Sequence, residues 1–495
     1  MLSKNAIHLL GTRYQRANES INDVFTRVSN VLGGGDEKLS SELKYYMEQG
    51  IFFPNSPAIY NAGYSNMLHA CCALGIEDNM ESIARKEYMM TMMFKYGAGV
   101  GFNFYKLRPN GAPLSTGGTS SGVISFLKSL DAKVDYVKQG GFRRGAAMGG
   151  LMYYHPEIMD FIQCKIKGGL SNFNLSVWVD DDFMRKVDTN ESIDLHHGTT
   201  SYGGISAKFL FDIMCFCAWS CGCPGIIFFD RVNKDNRDYP SMVIDTTNPC
   251  SESPIPNDSL CTLASINLSK FVRDNEFNFN RFGEVVKVVS KALMNMNKVG
   301  FYPFPEMKEA MDKYNPFGVG IMGFADALIK LGVYYDSNES LDFIDRVGEV
   351  YKSCTNAIGG EAFYKRIIAP TGSLSILADC SSGIEPVFAE VFERHLTIGV
   401  IEETRDLYKS SYTRTADKIS PEWHIKVQAQ WQKWADGGIS KTVNLPHNAT
   451  VDDVKNAYKL AWKLGCKGVT IYRDFSKDSQ VLYKRPSCSD ETCYL

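Results

Sequence analysis

Three residues with chemically useful side chains alternate within one short segment of this chain. Asn248, Cys250 and Glu252 lie in the stretch NPCSE, so an amide, a thiol and a carboxylate recur at every second position. In an extended loop, alternate side chains point the same way. These three groups could together hold and act on a small polyol. The spacing alone fits equally a loop with an incidental buried cysteine.

The chain has 14 cysteines in 495 residues, and a few of them stand out by position. Cys71 and Cys72 are adjacent, and Cys261 follows the NPCSE segment closely. Cys488 and Cys493 lie near the end of the sequence in a polar stretch. A fourth group lies in and just after a segment that is predicted to be a helix, and it consists of Cys215, Cys217, Cys221 and Cys223. On a helix, neighbouring cysteines at this spacing point to different faces. We expect core thiols there and assign no metal site.

The elements that must position these residues alternate between helix and strand. Residues 1 to about 50 have apolar residues at helical spacing, with a glycine break at 33–35. Short apolar runs at 99–104 and 224–230 predict buried strands, and residues 81–96 predict a helix between strands. This alternation predicts an α/β protein. We expect a helical region at 1–50, a main domain at 51–474 and a flexible tail at 475–495.

Composition excludes several classes of function. The formal net charge is −3 and the pI about 6.3, which disfavours a nucleic-acid partner. No apolar run approaches the roughly 20 residues needed to cross a bilayer, and the first residues lack the core of a signal peptide. We therefore expect a cytoplasmic protein without a membrane partner, in which disulfides are transient and catalytic or redox-sensing.

The NPCSE segment continues in a way that resembles one enzyme family. Residues 248–271 resemble the finger loop of ribonucleotide reductases, where Asn-x-Cys-x-Glu precedes a Cys-x-Leu-x-Ser-Ile-Asn-Leu stretch, here Cys261 to Leu268. Further segments resemble the family in the same order: 52–63, 76–83, 96–104, 139–149, 318–332, 368–388, 440–454 and 465–474. The resemblance thus runs almost from end to end.

The resemblance implies a fold and a set of catalytic roles. The fold is a ten-stranded α/β barrel made of two five-stranded half-barrels, with the loop that carries Cys250 threaded through its centre. Cys250 resembles the residue whose thiyl radical removes the 3′-hydrogen of the ribose. Glu252 resembles the general base for the 3′-hydroxyl, and Asn248 resembles the amide that hydrogen-bonds the substrate hydroxyls.

The resemblance also implies how electrons reach the substrate. Cys71 and Cys261 resemble the reducing pair, which must meet in space to form a disulfide. Cys488 and Cys493 resemble the shuttle that reduces this pair and is itself reduced by thioredoxin or a glutaredoxin-like protein. A surface or metal-binding pair is the alternative, although two cysteines cannot complete the usual four-ligand zinc site.

Other positions resemble contacts to substrate and effector. The phosphate loop would consist of Pro370, Thr371, Gly372, Ser373 and Leu374, which offer small hydroxyls and backbone N–H groups. Ser56 and Gly99 resemble two further substrate contacts. Cys72, expected to be a small buried hydrophobic residue, is placed with them. Asp78 and Arg108 match positions that bind a deoxynucleotide effector, with ordinary surface charge as the alternative.

The same comparison favours one way of making the radical. Thr470 and Ile471 stand where reductases served by a separate radical-generating subunit carry two tyrosines. The motifs GCKGVTIYRD, APTGSLS and SSGIEP resemble the adenosylcobalamin-dependent class instead. The stretch DLHHGTT misses the Asp-x-His-x-x-Gly motif by one residue, so no histidine is assigned to the cobalt.

Two departures and two alternatives accompany this interpretation. Ser251 stands where the cobalamin class usually has glycine, and residues 341–367 are shorter than in most relatives. The chain begins directly with reductase-like sequence, so we expect no ATP-binding regulatory module. The alternatives are a reductase subunit that needs a separate radical-generating partner, and a catalytically inactive nucleotide-binding regulator. Monomer or homodimer, and diphosphate or triphosphate substrate, stay open, with ribonucleoside diphosphates preferred.

Overall fold

A computed structural model of the chain describes residues 2–137, 145–166, 168, 170–396, 399–476 and 481–484. The helices α1 to α17 in this part of the chain are Lys4–Leu9, Ile21–Gly33, Glu37–Glu48, Ser56–Asn61, Met80–Lys95, Gly122–Tyr136, Ile158–Gln163, Asp181–Thr189, Ala207–Cys221, Phe229–Lys234, Phe279–Val299, Pro305–Tyr314, Phe324–Leu331, Asn338–Gly359, Leu374–Ala378, Pro421–Gln432 and Val451–Lys463. A π-helix at Leu10–Tyr14 extends α1, and 3₁₀-helices lie at Leu268–Phe271 and Asp406–Lys409.

The strands β1 to β17 of the same residues are short. Their bounds are Phe52–Pro54, Cys71–Gly75, Gly99–Asn103, Ala147–Met152, Phe173–Val179, Ser192–His197, Thr200–Ser206, Gly225–Phe228, Leu263–Asn267, Val272–Arg273, Glu276–Phe277, Gly318–Met322, Val391–Leu396, Gly399–Thr404, Thr442–Leu445, Gly468–Arg473 and Leu482–Lys484.

The first fifty residues form helices, as the sequence predicts. Helix α2 ends where Gly34 takes the left-handed conformation, within the predicted glycine break. Helix α3 begins after Asp36, whose side chain accepts a hydrogen bond from the backbone N–H of Leu39. Such a cap satisfies an N–H group that the helix itself cannot. The helices α2 and α3 pack against each other and against α11, and their buried side chains belong to the same apolar cluster as those of α11.

The main sheet has seven strands in the order β15-β16-β8-β5-β4-β3-β2. The five strands from β8 to β2 are mutually parallel, and β15 is parallel to β16. The two groups meet where β16 runs antiparallel to β8. Every residue of β3 is buried, as expected for a parallel strand that is covered on both faces.

A second sheet has three strands in the order β1-β9-β12. Strands β9 and β12 are parallel, and β1 is antiparallel to β9. The α/β class predicted from the sequence is therefore confirmed. A closed ten-stranded barrel is not, because the described strands form mixed sheets that are separate from one another.

Smaller elements lie beside these sheets. The pairs β6–β7 and β10–β11 are antiparallel, and β14-β13-β17 form a third sheet in which β13 is antiparallel to both neighbours. Among the described residues, no helix has both the length and the apolar character that crossing a bilayer requires.

Candidate active site

The loop that carries the NPCSE segment turns sharply instead of running straight. Residues 235–262 contain no named helix or strand, and they join the end of α10 to β9. The backbone N–H of Ser251 donates to the carbonyl of Asn248 at 3.0 Å, which closes a turn around Cys250. The extended backbone considered from the spacing is therefore wrong at this point, because the turn bends the chain between Asn248 and Glu252.

Ser251 is in the left-handed backbone conformation, with φ +64°. That conformation costs a residue with a Cβ roughly 1–2 kcal/mol, and glycine adopts it freely. This gives a physical reason why a glycine would be usual at this position. The turn tolerates serine here, and Cys250 is still presented half-buried at its tip.

Glycines hold this loop on two sides. A Cβ on Gly101 would lie 1.7 Å from the carbonyl oxygen of Thr247, and one on Gly438 would lie 2.6 Å from that of Ser251. Gly99 meets Pro249 in the same way, at 2.8 Å. The backbone N–H of Gly438 donates to the Glu252 carbonyl at 2.7 Å. We call Gly99, Gly101, Gly437 and Gly438 the glycine seam. Of these four glycines, only Gly99 was predicted from the sequence. It was predicted as a substrate contact, and that role stays a prediction.

Cys71 and Cys261 lie side by side. The backbone N–H of Cys261 donates to the carbonyl of Cys71 at 2.8 Å, and the N–H of Ala70 donates to the carbonyl of Cys261 at 2.9 Å. Both side chains are buried in one small apolar cluster. Burial, followed by a hydrogen bond with Cys71, raises the pKa of the Cys261 thiol well above its usual value. The structure thus brings the two predicted partners together as thiols.

Asn248 connects the loop to this pair. Its side-chain N–H donates to the sulfur of Cys71 at 3.6 Å, and its side-chain oxygen accepts from the backbone N–H of Ser253 at 2.9 Å. Glu252 is 2% exposed, and its charge contributes to the raised pKa of Cys261. The amide, the carboxyl group and the cysteine pair therefore occupy one buried site beside the Cys250 turn.

Two adjoining cavities open beside the turn. The first, about 220 Å³, is lined by Cys250, Cys223, Lys441 and Thr470 among others. The second, about 660 Å³, contains Pro370 and Gly372 of the predicted phosphate loop. Asn174, Gly222, Thr442 and Thr470 line both cavities. A ligand in the larger cavity would therefore have direct access to the space beside the Cys250 thiol.

The predicted phosphate loop is a compact turn before α15. Thr371 is buried with φ +51°, and its hydroxyl accepts a hydrogen bond from the backbone N–H of Gly383 at 2.7 Å. Ser373 accepts a hydrogen bond from Arg13 at 2.7 Å. Ser56, the first residue of α4, shares a 2.8 Å hydrogen bond with the hydroxyl of Tyr14. Arg13 and Tyr14 were not predicted from the sequence, since helical periodicity gives no sign of a π-helix.

Cys72 lies on the other face of β2 from Cys71. Its side chain is fully buried in the apolar cluster around Phe102 and Met93, and burial raises the pKa of its thiol. This position agrees with a small buried hydrophobic residue. Its assignment as a substrate contact stays a prediction.

The two predicted effector residues contact each other. Asp78 follows β2, Arg108 follows β3, and the guanidinium of Arg108 donates to the Asp78 carboxylate at 2.7 Å. Both side chains are partly exposed. Residues 138–144, which include most of the charged part of the 139–149 loop, lie outside the described residues. The effector site stays a prediction.

Cys488 and Cys493 also lie outside the described residues. The last described segment, β17, pairs with β13, with Phe392 opposite Lys484. Leu482 of β17 lines the 660 Å³ cavity. The predicted shuttle therefore follows a strand that borders the candidate site.

The remaining predicted positions fall as follows. Thr470 is exposed and Ile471 buried on β16, and Thr470 faces both cavities. His197 of the DLHHGTT stretch bonds to the carbonyl of Lys106 at 2.8 Å and lines neither cavity. In the cysteine-rich segment, Cys215 and Cys217 are buried on α9, and the described residues contain no cluster of potential ligands able to hold a metal ion.

Comparison with known proteins identifies the family. The model of the ribonucleotide reductase barrel domain matches residues 69–357 and 397–472. The chain is 38% identical to the vitamin B12-dependent ribonucleoside-diphosphate reductase of Thermoplasma acidophilum, over 87% of this chain and 64% of that protein. It is 35% identical to the protein of the same description from Mycobacterium tuberculosis, over 87% of this chain and 71% of that protein.

A reductase with another description is also similar. The ribonucleoside-diphosphate reductase large chain of Schizosaccharomyces pombe is 27% identical over 93% of this chain and 67% of that protein. The chain thus spans about two thirds of the length of these relatives. The matched region includes β2, β9 and the loop with Cys250. The chain therefore belongs to the ribonucleotide reductase family and contains the family's barrel domain.

Proposed function

We propose that this chain reduces ribonucleoside diphosphates to 2′-deoxyribonucleoside diphosphates by cysteine radical chemistry that depends on adenosylcobalamin. The observation that carries the proposal is the meeting of the Cys250 turn with the Cys71–Cys261 pair in one buried site. The names of the relatives in Thermoplasma and Mycobacterium support the substrate class and the cofactor.

We further propose that the two main sheets belong to one ten-stranded barrel. Isolated bridges support this idea: Cys72 with Leu260, Val319 with Arg366, and Ile368 with Ile439. They link β2 to the residues before β9, and β12 through residues 366–368 to the residues before β15. With the segment 366–368 counted as a strand, five parallel segments from β9 to β16 would face the five parallel strands from β2 to β8.

In the proposed reaction, the residues of this site divide the work. The Cys250 thiyl radical takes the 3′-hydrogen of the ribose, and Glu252 accepts the 3′-hydroxyl proton. The 2′-hydroxyl then leaves as water, with a proton from one thiol of the Cys71–Cys261 pair. The pair supplies two electrons and a second hydrogen that stays at C2′, and it ends as a disulfide. The 3′-hydrogen returns from Cys250, which regenerates the thiyl radical, and Glu252 returns its proton to the 3′-oxygen. Asn248 holds the hydroxyl groups and keeps Cys71 in place.

The space beside Cys250 is where the proposed cofactor would bind. The two cavities adjoin, and Thr470 is a small exposed residue at their boundary. Asn174, Thr442 and Thr470 would contact adenosylcobalamin, which when bound would supply the radical that oxidises the Cys250 thiol. Neither Thr470 nor Ile471 has a side chain that can be oxidised to a radical as tyrosine can. A relay that carries the radical from a separate subunit to Cys250 is therefore disfavoured.

The remaining partners follow from the same proposal. Thioredoxin or a glutaredoxin-like protein would reduce the tail, and a deoxynucleotide would bind near Asp78 and Arg108. The cytoplasm is the proposed compartment, because the proposed chemistry needs reduced thiols between turnovers.

One assay tests the proposed function. Purified protein is given CDP, dithiothreitol and adenosylcobalamin, and dCDP is counted by chromatography. We expect product without any partner protein and none with iron or manganese and oxygen in place of cobalamin. Product formation that requires a second protein and does not change on addition of cobalamin would favour the alternative of a reductase subunit with a separate radical-generating partner. Nucleotide binding without any product would favour the inactive regulator.

A further inference from the structure

A π-helix near the N-terminus brings two residues into contact with the predicted phosphate-binding residues. The backbone N–H of Gln15 donates to the carbonyl of Leu10, five residues earlier, at 2.9 Å. A π-turn of this kind inserts an extra residue into the helical ladder, changes the direction of the side chains that follow, and is frequent at functional sites. Here it ends with Arg13 and Tyr14, and both are buried.

These two neighbours reach two separate parts of the predicted phosphate site. The Arg13 guanidinium donates to the hydroxyl of Ser373 at 2.7 Å, and the Tyr14 hydroxyl bonds to that of Ser56 at 2.8 Å. Helix α1 also packs against α15, which follows the phosphate loop. The π-helix therefore ties Ser56 to Ser373, two residues more than three hundred positions apart in the chain.

The charge of Arg13 matters because the predicted phosphate contacts are all neutral. Residues 370–374 and Ser56 offer hydroxyls and backbone N–H groups without a cationic side chain. Arg394 approaches the loop from the other side, 3.8 Å from a Cβ placed on Gly372, but its guanidinium is held by Glu403 in a buried ion pair at 2.5 Å. A diphosphate brings several negative charges into this site, and a guanidinium is well suited to pair with them.

We propose that Arg13 supplies the positive charge that binds the substrate's phosphate groups at residues 370–374. It would lie beside the phosphate groups and would also hold the Ser373 hydroxyl in place by its hydrogen bond. The N-terminal π-helix is then part of the substrate site. This inference rests on the proposed function, since it takes the phosphate loop to be the place where the nucleotide binds. Tyr14 positions Ser56 and adds no charge.

A structural role makes a different prediction. If Arg13 only braced the loop, its loss would weaken the binding of every ligand alike, whether or not the ligand carried phosphate. If its charge binds phosphate, the loss falls on phosphorylated ligands alone. The ratio of the dissociation constants for cytidine and CDP separates the two cases, because general loosening of the site cancels in it.

Arg16 provides a matched control on the same segment. Its guanidinium stacks on the ring of Tyr60 at 3.6 Å and donates to the Tyr60 hydroxyl at 2.8 Å. Replacing Arg16 by glutamine therefore removes the same charge without changing a contact to the phosphate loop. The variants are Arg13→Gln, Arg13→Lys and Arg16→Gln. Binding of CDP is measured by calorimetry without cobalamin, cytidine binding by competition, and folding by thermal unfolding.

We expect Arg13→Gln to reduce the preference for CDP over cytidine roughly 10- to 100-fold, the usual effect of losing a charged hydrogen bond. Arg13→Lys should restore much of the preference, and Arg16→Gln should keep it. An unchanged ratio in Arg13→Gln, or equal weakening of both ligands, overturns the role of Arg13 and leaves the proposed function standing. A wild-type protein that binds no CDP overturns the proposed function itself.

Discussion

Cys71 and Cys261 are joined through their backbones: the N–H of Cys261 donates to the carbonyl of Cys71 at 2.8 Å. The two residues belong to segments nearly two hundred positions apart, yet this bond holds their thiols in one buried cluster. Disulfide formation needs Cβ atoms about 4 Å apart. A pair fixed by main-chain contacts can pass between thiol and disulfide without unfolding either segment.

The reductant should distinguish this pair from the tail cysteines. Changing both Cys488 and Cys493 to serine should stop repeated turnover with thioredoxin and leave much of it with dithiothreitol, because a small dithiol reaches the buried pair unaided. The variants Cys71→Ser and Cys261→Ser should show no repeated turnover with either reductant. The control Cys354→Ser, on α14, should turn over with both. Product per enzyme is the measurement. Normal turnover of the tail variant on thioredoxin would show that the tail is not the shuttle.

Removal of the Cys250 thiol should abolish product while nucleotide affinity stays within a fewfold of wild type. The thiol is needed to take a hydrogen atom, and serine of similar size cannot do so at this site. Product is counted over many turnovers, and CDP affinity is measured by calorimetry on the same preparations. Substantial residual turnover in Cys250→Ser would contradict the proposed mechanism.

Glu252→Gln should lose most turnover without loss of folding. The amide keeps the size of the side chain but cannot accept a proton, and losing a general base typically costs about 10²–10⁴-fold in rate. Turnover under saturating CDP is compared with the thermal unfolding midpoint. A variant that keeps wild-type turnover would exclude Glu252 as the base.

The glycine seam should tolerate no added methyl group. A Cβ on Gly101 would lie 1.7 Å from the Thr247 carbonyl oxygen, so Gly101→Ala must displace the loop with Cys250, at a cost of about 1–3 kcal/mol or more. Urea unfolding and turnover are measured together. A Gly101→Ala variant with the stability and turnover of the wild type would argue against this packing.

Alkylation of Cys261 should need an unusually high pH. Burial raises the pKa of its thiol, and the thiolate is the reactive form, so the rate should continue to rise above about pH 9, where an ordinary thiol levels off. The same shift favours the folded state below the usual thiol pKa, and that contribution is lost as the pH rises through the raised value. Iodoacetamide labelling followed by peptide mass spectrometry gives the rate, with N-acetylcysteine as reference.

The sequence alone selected several residues that the structure brings together. Asn248, Glu252, Cys71 and Cys261 were selected by motif, and they lie together because β2 and the residues before β9 pair across the fold. The bend at Ser251 was not foreseen, since alternation of residue types suggests an extended chain. Arg13 escaped notice because its partner Ser373 is distant in sequence and because only the extra residue of a π-turn directs it there.

The glycine seam also sets an order of assembly. Thr247 packs on Gly101 and Ser251 on Gly438, so the loop is seated only after β3 and the residues before β15 are in place. Closing such distant contacts is slow relative to local structure. During synthesis the ribosome must complete residue 438 before Cys250 can reach its working position. A partly made chain therefore has the thiol but lacks the enclosed setting that would make a radical on it productive.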